Sequence, residues 1–162
     1  MKMLIAYATK TGAAAQCAKR LAALLPGAVV CDLSRETPAL SDYDAVIVGG
    51  GVRMGRLYRA ARDFLRANEG ALLQKRLGLF LCSGFPDQAK DALSQNVPAA
   101  LLAHAVYADS LGGELDAQKL RGMSRLIAAM AQKSRPDAPP PRILDARVEE
   151  LAATMRGNAD DA

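Results

Sequence analysis

Met3-Leu4-Ile5-Ala6-Tyr7-Ala8-Thr9-Lys10-Thr11-Gly12-Ala13-Ala14 is the stretch on which the reading of the whole chain turns. The apolar run Met3–Ala8 has the length and composition of a buried strand. From Ala13 to Leu25 the apolar residues recur at helical spacing, with Ala14, Cys17, Leu21 and Leu24 on one face and Lys19 and Arg20 off it. Between the two stands a turn of small, hydroxyl-bearing and glycine residues. Such a strand, turn and helix start make an anion site, because unpaired N–H groups leave the first helical turn and the macrodipole favours negative charge there. Thr9 and Thr11 add hydroxyl donors, and Gly12 lets the backbone come close. Thr9, Lys10, Thr11, Gly12, Ala13 and Ala14 therefore read as a cradle for one phosphate monoester. The plain alternative is an ordinary βα turn with Thr beside Gly.

Other phosphate signatures do not fit. A dinucleotide fingerprint needs G-x-G-x-x-G after the first strand, and only Gly12 is there. Gly50 and Gly55 have Walker spacing, but Arg56-Leu57 follow, so the Lys and the Mg²⁺-binding hydroxyl are missing. Ala8-Thr9 is not the acidic pair that a phospho-receiver needs. A T-x-T-G turn closing a first strand remains, and it suits the phosphate of FMN.

Outward from this stretch the chain alternates strands and helices. Pro26-Gly27 ends the first helix, and Ala28–Cys31 is a short second strand. Asp44–Gly49 is a third strand whose unbroken apolar run suits a sheet covered on both faces. Gly50–Gly55 is expected to be a loop, followed by a helix over Tyr58–Asn68. Leu77–Cys82 is a fourth strand with Ser83-Gly84-Phe85-Pro86 as its exit loop. Helical pieces follow at Asp87–Ser94 and Pro98–Ala103, and Ala105–Ser110 is a fifth strand. Asp116–Gln132 is an amphipathic helix, Ser134–Arg142 a Pro-rich loop, and Leu144–Met155 the last helix. The pattern predicts an α/β fold: a three-layer, doubly wound, five-stranded parallel sheet of order 2-1-3-4-5 with right-handed crossovers. Residues 1–156 form one domain, with 116–142 as an insert and 157–162 as a disordered tail. Ligands in such sheets sit beyond the carboxyl ends of the strands at the switch point, here between strands one and three. That rule selects Thr9–Ala14, Gly50–Gly55 and Cys82–Pro86.

Composition narrows the function. The 162 residues are 51% hydrophobic, enough for a core, but without Trp that core is built from Ala, Leu and Val. A formal charge of +4 without an Arg/Lys tract interleaved with aromatics does not point to nucleic acid. Cys17, Cys31 and Cys82 are odd in number and widely spaced, which supports neither a disulfide scaffold nor a zinc site. No signal peptide and no membrane-spanning run is read, so a cytoplasmic location with reduced thiols is expected.

The three loops together resemble the flavodoxin family, and more specifically the flavodoxin-domain branch that includes the flavodoxin-type protoporphyrinogen dehydrogenases. The matching pieces are Thr9-Lys10-Thr11-Gly12, Tyr43–Gly49 running into Val52-Arg53-Met54-Gly55, Phe64-Leu65, and Leu79–Gly84. The resemblance implies non-covalent FMN and one- or two-electron transfer. It implies that Thr9–Ala14 hold the FMN phosphate. Gly50, Gly51, Val52, Arg53, Met54 and Gly55 would line one side of the isoalloxazine, and Cys82, Ser83, Gly84 and Phe85 the other. Two departures stand out: Ala14 replaces a hydroxyl residue, and the stacking candidates are Met54 and Phe85, with Tyr58 in reserve.

For individual residues, two roles stand side by side. Gly49-Gly50-Gly51 either let a peptide carbonyl turn toward the flavin or only permit a tight strand exit. Arg53 either tunes the flavin or is a solvated arginine. Cys82 is a ring contact or a buried small hydrophobe. Ser83 is read as a donor to the flavin, and His104 as a packing or capping residue. The basic run Arg53, Arg56, Arg59, Arg62 and Arg66 is a solvated face, or it docks an acidic redox partner protein or a carboxylate-bearing tetrapyrrole. The stripe Leu120, Met123, Ile127 and Met130 is read as core packing ahead of membrane-surface contact. Three functions follow: an FMN electron carrier between a reductase and an acceptor enzyme, a tetrapyrrole dehydrogenase, or a flavodoxin fold that no longer binds FMN.

Overall fold

β1 (Met3–Ala8) is apolar on both faces, and it runs through the middle of the sheet with five of its six residues buried. The computed structural model describes residues 1–10, 12–83, 86–113 and 143–157. After β1 come α1 (Ala13–Leu24), β2 (Val29–Asp32), β3 (Ala45–Arg53), β4 (Arg56–Leu57), α2 (Arg59–Ala67) and α3 (Glu69–Leu72). They are followed by β5 (Arg76–Cys82), a 3₁₀ turn at Pro86–Gln88, α4 (Ala89–Asn96), α5 (Ala99–His104), β6 (Tyr107–Ser110) and α6 (Asp145–Arg156). The parallel strands lie in the order β2-β1-β3-β5-β6, which is the predicted five-stranded doubly wound sheet. Register is fixed by Ala6↔Val48 between β1 and β3 and by Val48↔Leu79 between β3 and β5.

Helices cover both faces, giving three layers. On one face Ala61, Phe64 and Leu65 of α2, Leu72 of α3, Leu93 of α4 and Leu101 of α5 pack on Leu4, Val46 and Leu79. On the other, Ala14, Cys17, Ala18 and Leu21 of α1 and Val148, Leu151 and Met155 of α6 pack on Ile5, Ile47 and Phe80. Polar ties fasten α6 at several points. Arg76 donates to the Thr154 carbonyl at 2.6 Å, Arg147 to that of Ser110 at 3.0 Å and Arg156 to that of Leu24 at 2.9 Å, while Arg20 pairs with Asp145.

The structure corrects the third strand and the loop expected after it. β3 does not stop at Gly49 but continues to Arg53, and β4 turns back on it with Val52↔Leu57 and Arg53↔Arg56. The cause is steric. A Cβ on Gly49 would stand 2.1 Å from the Phe80 ring, and one on Gly51 2.7 Å from Tyr58. The glycines are the hollows into which these rings fit, and the strand remains extended. The turn itself is Met54-Gly55, with φ of 53° and 77°, the doubly left-handed form that a two-residue hairpin requires.

The expected helix over Asp116–Gln132 and the Pro-rich loop lie outside the described residues, as do Thr11, Gly84, Phe85 and residues 158–162 of the tail. The residues on either side of 114–142 are described. Gly112 pairs with Ile143, and the Leu144 N–H donates to the Leu111 carbonyl at 2.8 Å. The chain thus leaves and re-enters at one point beyond β6.

Candidate functional site

Adjacent strands bring the three predicted segments to one end of the sheet. Ala8 lies opposite Gly50, Gly50 opposite Leu81, and Gly51 opposite Cys82. At the end of β1 the chain turns through Thr9. The Gly12 N–H donates to Thr9 Oγ1 at 2.9 Å, so this hydroxyl accepts within the turn and keeps its proton for donation. Gly12 takes φ 95° at the start of α1, and the first intrahelical bond runs from the Gln16 N–H to its carbonyl at 3.0 Å. The N–H groups of Ala13, Ala14 and Ala15 precede that bond. Among the described residues no side chain caps this end, and no acidic residue lies in its first turn. The positive end of α1 is therefore uncompensated among the described residues. Ala14 is fully buried, and its methyl belongs to the core.

Lys10 is exposed and holds its ammonium 5.3 Å from the centroid of the Tyr58 ring. The contact joins the Thr9–Ala14 turn to the start of α2. Tyr58 is anchored by its N–H, which donates to the Gly51 carbonyl at 3.1 Å. Burial pushes the Tyr58 phenol up, and Arg53 nearby partly opposes this. The Gly51 carbonyl is thereby engaged, and the side-chain position that Gly51 leaves empty is filled by the Tyr58 ring.

The β3–β4 turn forms the next wall. Arg53, Met54 and Arg56 are exposed, and Met54 is 72% exposed in spite of its apolar side chain. Asn96 of α4, which the sequence did not single out, holds this turn from behind. Its amide nitrogen donates to the carbonyls of Gly55 at 2.8 Å and Ala92 at 2.7 Å. Its amide oxygen accepts the Leu57 N–H at 3.1 Å. A lone Asn in an amphipathic helix carries no sequence signal for such a role.

At the end of β5, Cys82 turns inward and is 5% exposed, with Sγ 3.5 Å from Cys17 Sγ. It is a core thiol. The Ser83 N–H donates to the Gly112 carbonyl at 3.0 Å, which ties this edge to the segment after β6. His104 is exposed, with Nε2 2.6 Å from the Lys75 carbonyl oxygen. Arg59 pairs with Asp63 at 3.3 Å, and Arg59, Arg62 and Arg66 lie off the buried face formed by Ala61, Phe64 and Leu65.

Among the described residues no cluster of His, Cys, Asp and Glu could hold a metal ion, and no helix is long and apolar enough to cross a membrane. A search of the curated proteins finds no match. Among solved structures, an NADH:FMN oxidoreductase, EmoB, in its apo form superposes with a TM-score of 0.54 at 12% identity, covering 98% of this chain and 92% of that one. The flavodoxin of Fusobacterium nucleatum bound to flavin mononucleotide superposes with a TM-score of 0.50 at 13% identity, covering 71% of this chain and 72% of that one. At such identities the likeness is one of fold. The profile of the flavodoxin domain matches residues 4–139, most of the chain. With its sheet order and its open helix end at the switch point, the chain belongs to the flavodoxin-domain family.

Proposed function

We propose that the protein binds FMN and passes electrons between a reductase and an acceptor enzyme. One observation carries this reading: the N-terminus of α1 opens at the end of β1, at the switch point with β3, with no side-chain cap among the described residues and no acidic residue in its first turn. Family membership supports the choice of a flavin over other anions. The residues present fit a phosphate monoester. The N–H groups of Ala13, Ala14 and Ala15 and the Thr9 hydroxyl proton would donate to it, and Lys10 would add positive charge. The β3–β4 turn and the segment after Cys82 would flank the ring. The flavin, when bound, supplies one- or two-electron transfer. What the chain adds is position: Asn96 fixes the turn, and Tyr58, kept protonated by burial, closes the gap behind Gly51.

A second reading is a dehydrogenase acting on protoporphyrinogen or a similar carboxylate-bearing tetrapyrrole. The exposed Arg53 and Arg56 at the rim favour it, since they suit carboxylates as well as an acidic protein. The carrier is placed first because none of the described residues around the turn has the position and proton affinity of a general base. A third reading, a fold without FMN, draws on the methyl of Ala14 where a hydroxyl would have donated.

Titration of the purified protein with FMN and with riboflavin, followed by flavin fluorescence, tests the proposal. A charge-assisted hydrogen bond contributes about 1.5–3 kcal/mol, so each bond to the phosphate is worth roughly a tenfold preference or more for FMN. Quenching by FMN with much weaker quenching by riboflavin is the expected result. Equal affinity for both removes the phosphate cradle, and no quenching by either establishes the third reading. Turnover of protoporphyrinogen with a quinone acceptor would move the second reading ahead of the first.

A further inference from the structure

Two of the three cysteines meet inside one layer of the core. Cys17 lies in the second turn of α1, Cys82 ends β5, and their sulfurs are 3.5 Å apart although 65 residues separate them in sequence. Cys31 belongs to the core layer on the opposite face of the sheet. A disulfide holds its sulfurs at about 2.05 Å, so closing the 3.5 Å gap requires an approach of roughly 1.5 Å.

We propose that Cys17 and Cys82 are an oxidisable pair that hydrogen peroxide converts to an intramolecular disulfide, joining α1 to the end of β5. The roles differ between the two thiols. The sulfur–sulfur hydrogen bond and the Arg20 charge hold Cys17 below the ordinary thiol range, against its burial and the Asp145 carboxylate. The Cys17 interaction and burial push Cys82 well up. Cys17 is therefore the attacking sulfur. As a thiolate it takes one oxygen from the peroxide, the O–O bond breaks, and the released hydroxide leaves as water with the Cys17 proton. The Cys82 sulfur then attacks the resulting sulfenic acid, and the S–O bond breaks as the S–S bond forms. The departing hydroxide leaves with the Cys82 proton as a second water. Two thiols lose two electrons and two protons, and one peroxide is reduced to two waters. Both sulfurs lie in the core, Cys17 0% and Cys82 5% exposed, so peroxide reaches them when the contact between α1 and the end of β5 opens. Cys31 is held as a thiol, since burial and then Glu36 push it up to about 11.

The test is a disulfide map of the full chain after peroxide treatment, folded and in urea, with free thiols alkylated before non-reducing digestion. The folded protein is expected to lose two hydrogens in intact mass and to yield the Cys17–Cys82 linked peptide with Cys31 alkylated. Treatment in urea is expected to give links involving Cys31 as well. The Cys31→Ala variant should oxidise like the parent, whereas Cys17→Ala and Cys82→Ala should retain the mass of two free thiols. The proposal is overturned if folded protein keeps all three cysteines alkylatable, if it gains oxygen without losing the two hydrogens, or if Cys31 enters the link. None of these outcomes depends on bound flavin.

Discussion

Asn96 shows how one side chain can set a wall of the site without lying in it. It is 6% exposed, and its carboxamide meets two main-chain groups of the β3–β4 hairpin, the Gly55 carbonyl and the Leu57 N–H. Removing it leaves the buried Leu57 N–H without its partner and the part-buried Gly55 carbonyl without its donor, at a cost of about 1–3 kcal/mol. Asn96→Ala is expected to lower the unfolding free energy in urea by that amount. Asn96→Asp keeps an acceptor for the Leu57 N–H but turns a carboxylate oxygen toward the carbonyls of Gly55 and Ala92. It should therefore be no better than alanine near neutral pH and should recover part of the loss in acid, where a protonated carboxyl can donate. A loss confined to Asp would refute the shared role of both amide atoms. Thr9 is the complementary case. Its place in the turn was legible, because a hydroxyl before a helix start has few other uses, yet its acceptor is spent on Gly12 and only its proton remains for a ligand.

At the scale of elements, what was legible and what was not divides between local and non-local causes. The apolar runs of β1 and β5, the Pro-Gly stop after α1 and the 3.6-residue spacing are local, and among the described residues the elements they predicted are present within a residue or two at each end. The end of β3 is not local. Gly50-Gly51 reads as the start of a loop because glycine weakens an isolated strand, whereas here Tyr58, just before α2, occupies the side-chain position missing at Gly51, as Phe80 of β5 does at Gly49. β4 was missed for the same reason, since two residues closed by Met-Gly carry no alternation to detect. A pair of substitutions separates the causes. Gly49→Ala forces a methyl into the Phe80 ring and is expected to cost about 1–3 kcal/mol, the range of overpacking in a filled core. Gly70 lies in α3, and a Cβ there meets nothing within 4 Å. Gly70→Ala is therefore expected to stabilise by about 0.5–1 kcal/mol through the unfolded chain. Urea denaturation of both variants checks the opposite signs, and equal destabilisation would show that conformational freedom rather than packing fixes Gly49.

The two edges of the whole sheet carry groups that resist ionisation, and together they set an alkaline limit on the folded state. On β2, Cys31 is pushed from 9.0 up to about 11 by burial, with Glu36 and Asp32 adding to it. On β6, Tyr107 is pushed from 10.0 up to about 12, again by burial first and then by Asp109 and Glu150, with Arg147 opposing. In the unfolded chain both groups lose their protons at ordinary values, so between those values and the folded ones the native state holds more protons. Stability then falls as pH rises. Below pH 9 the pair contributes no slope. From 9 to 11 the loss comes from Cys31, and from 10 to 12 from Tyr107. Unfolding free energies measured at intervals from pH 8 to pH 12 should be level with respect to these groups at first and then decline. Cys31→Ala should remove the earlier part of the decline and Tyr107→Phe the later part. If either variant keeps the parent profile, that edge of the sheet does not hold its proton as the geometry requires, and the alkaline limit arises in the other layers of the molecule.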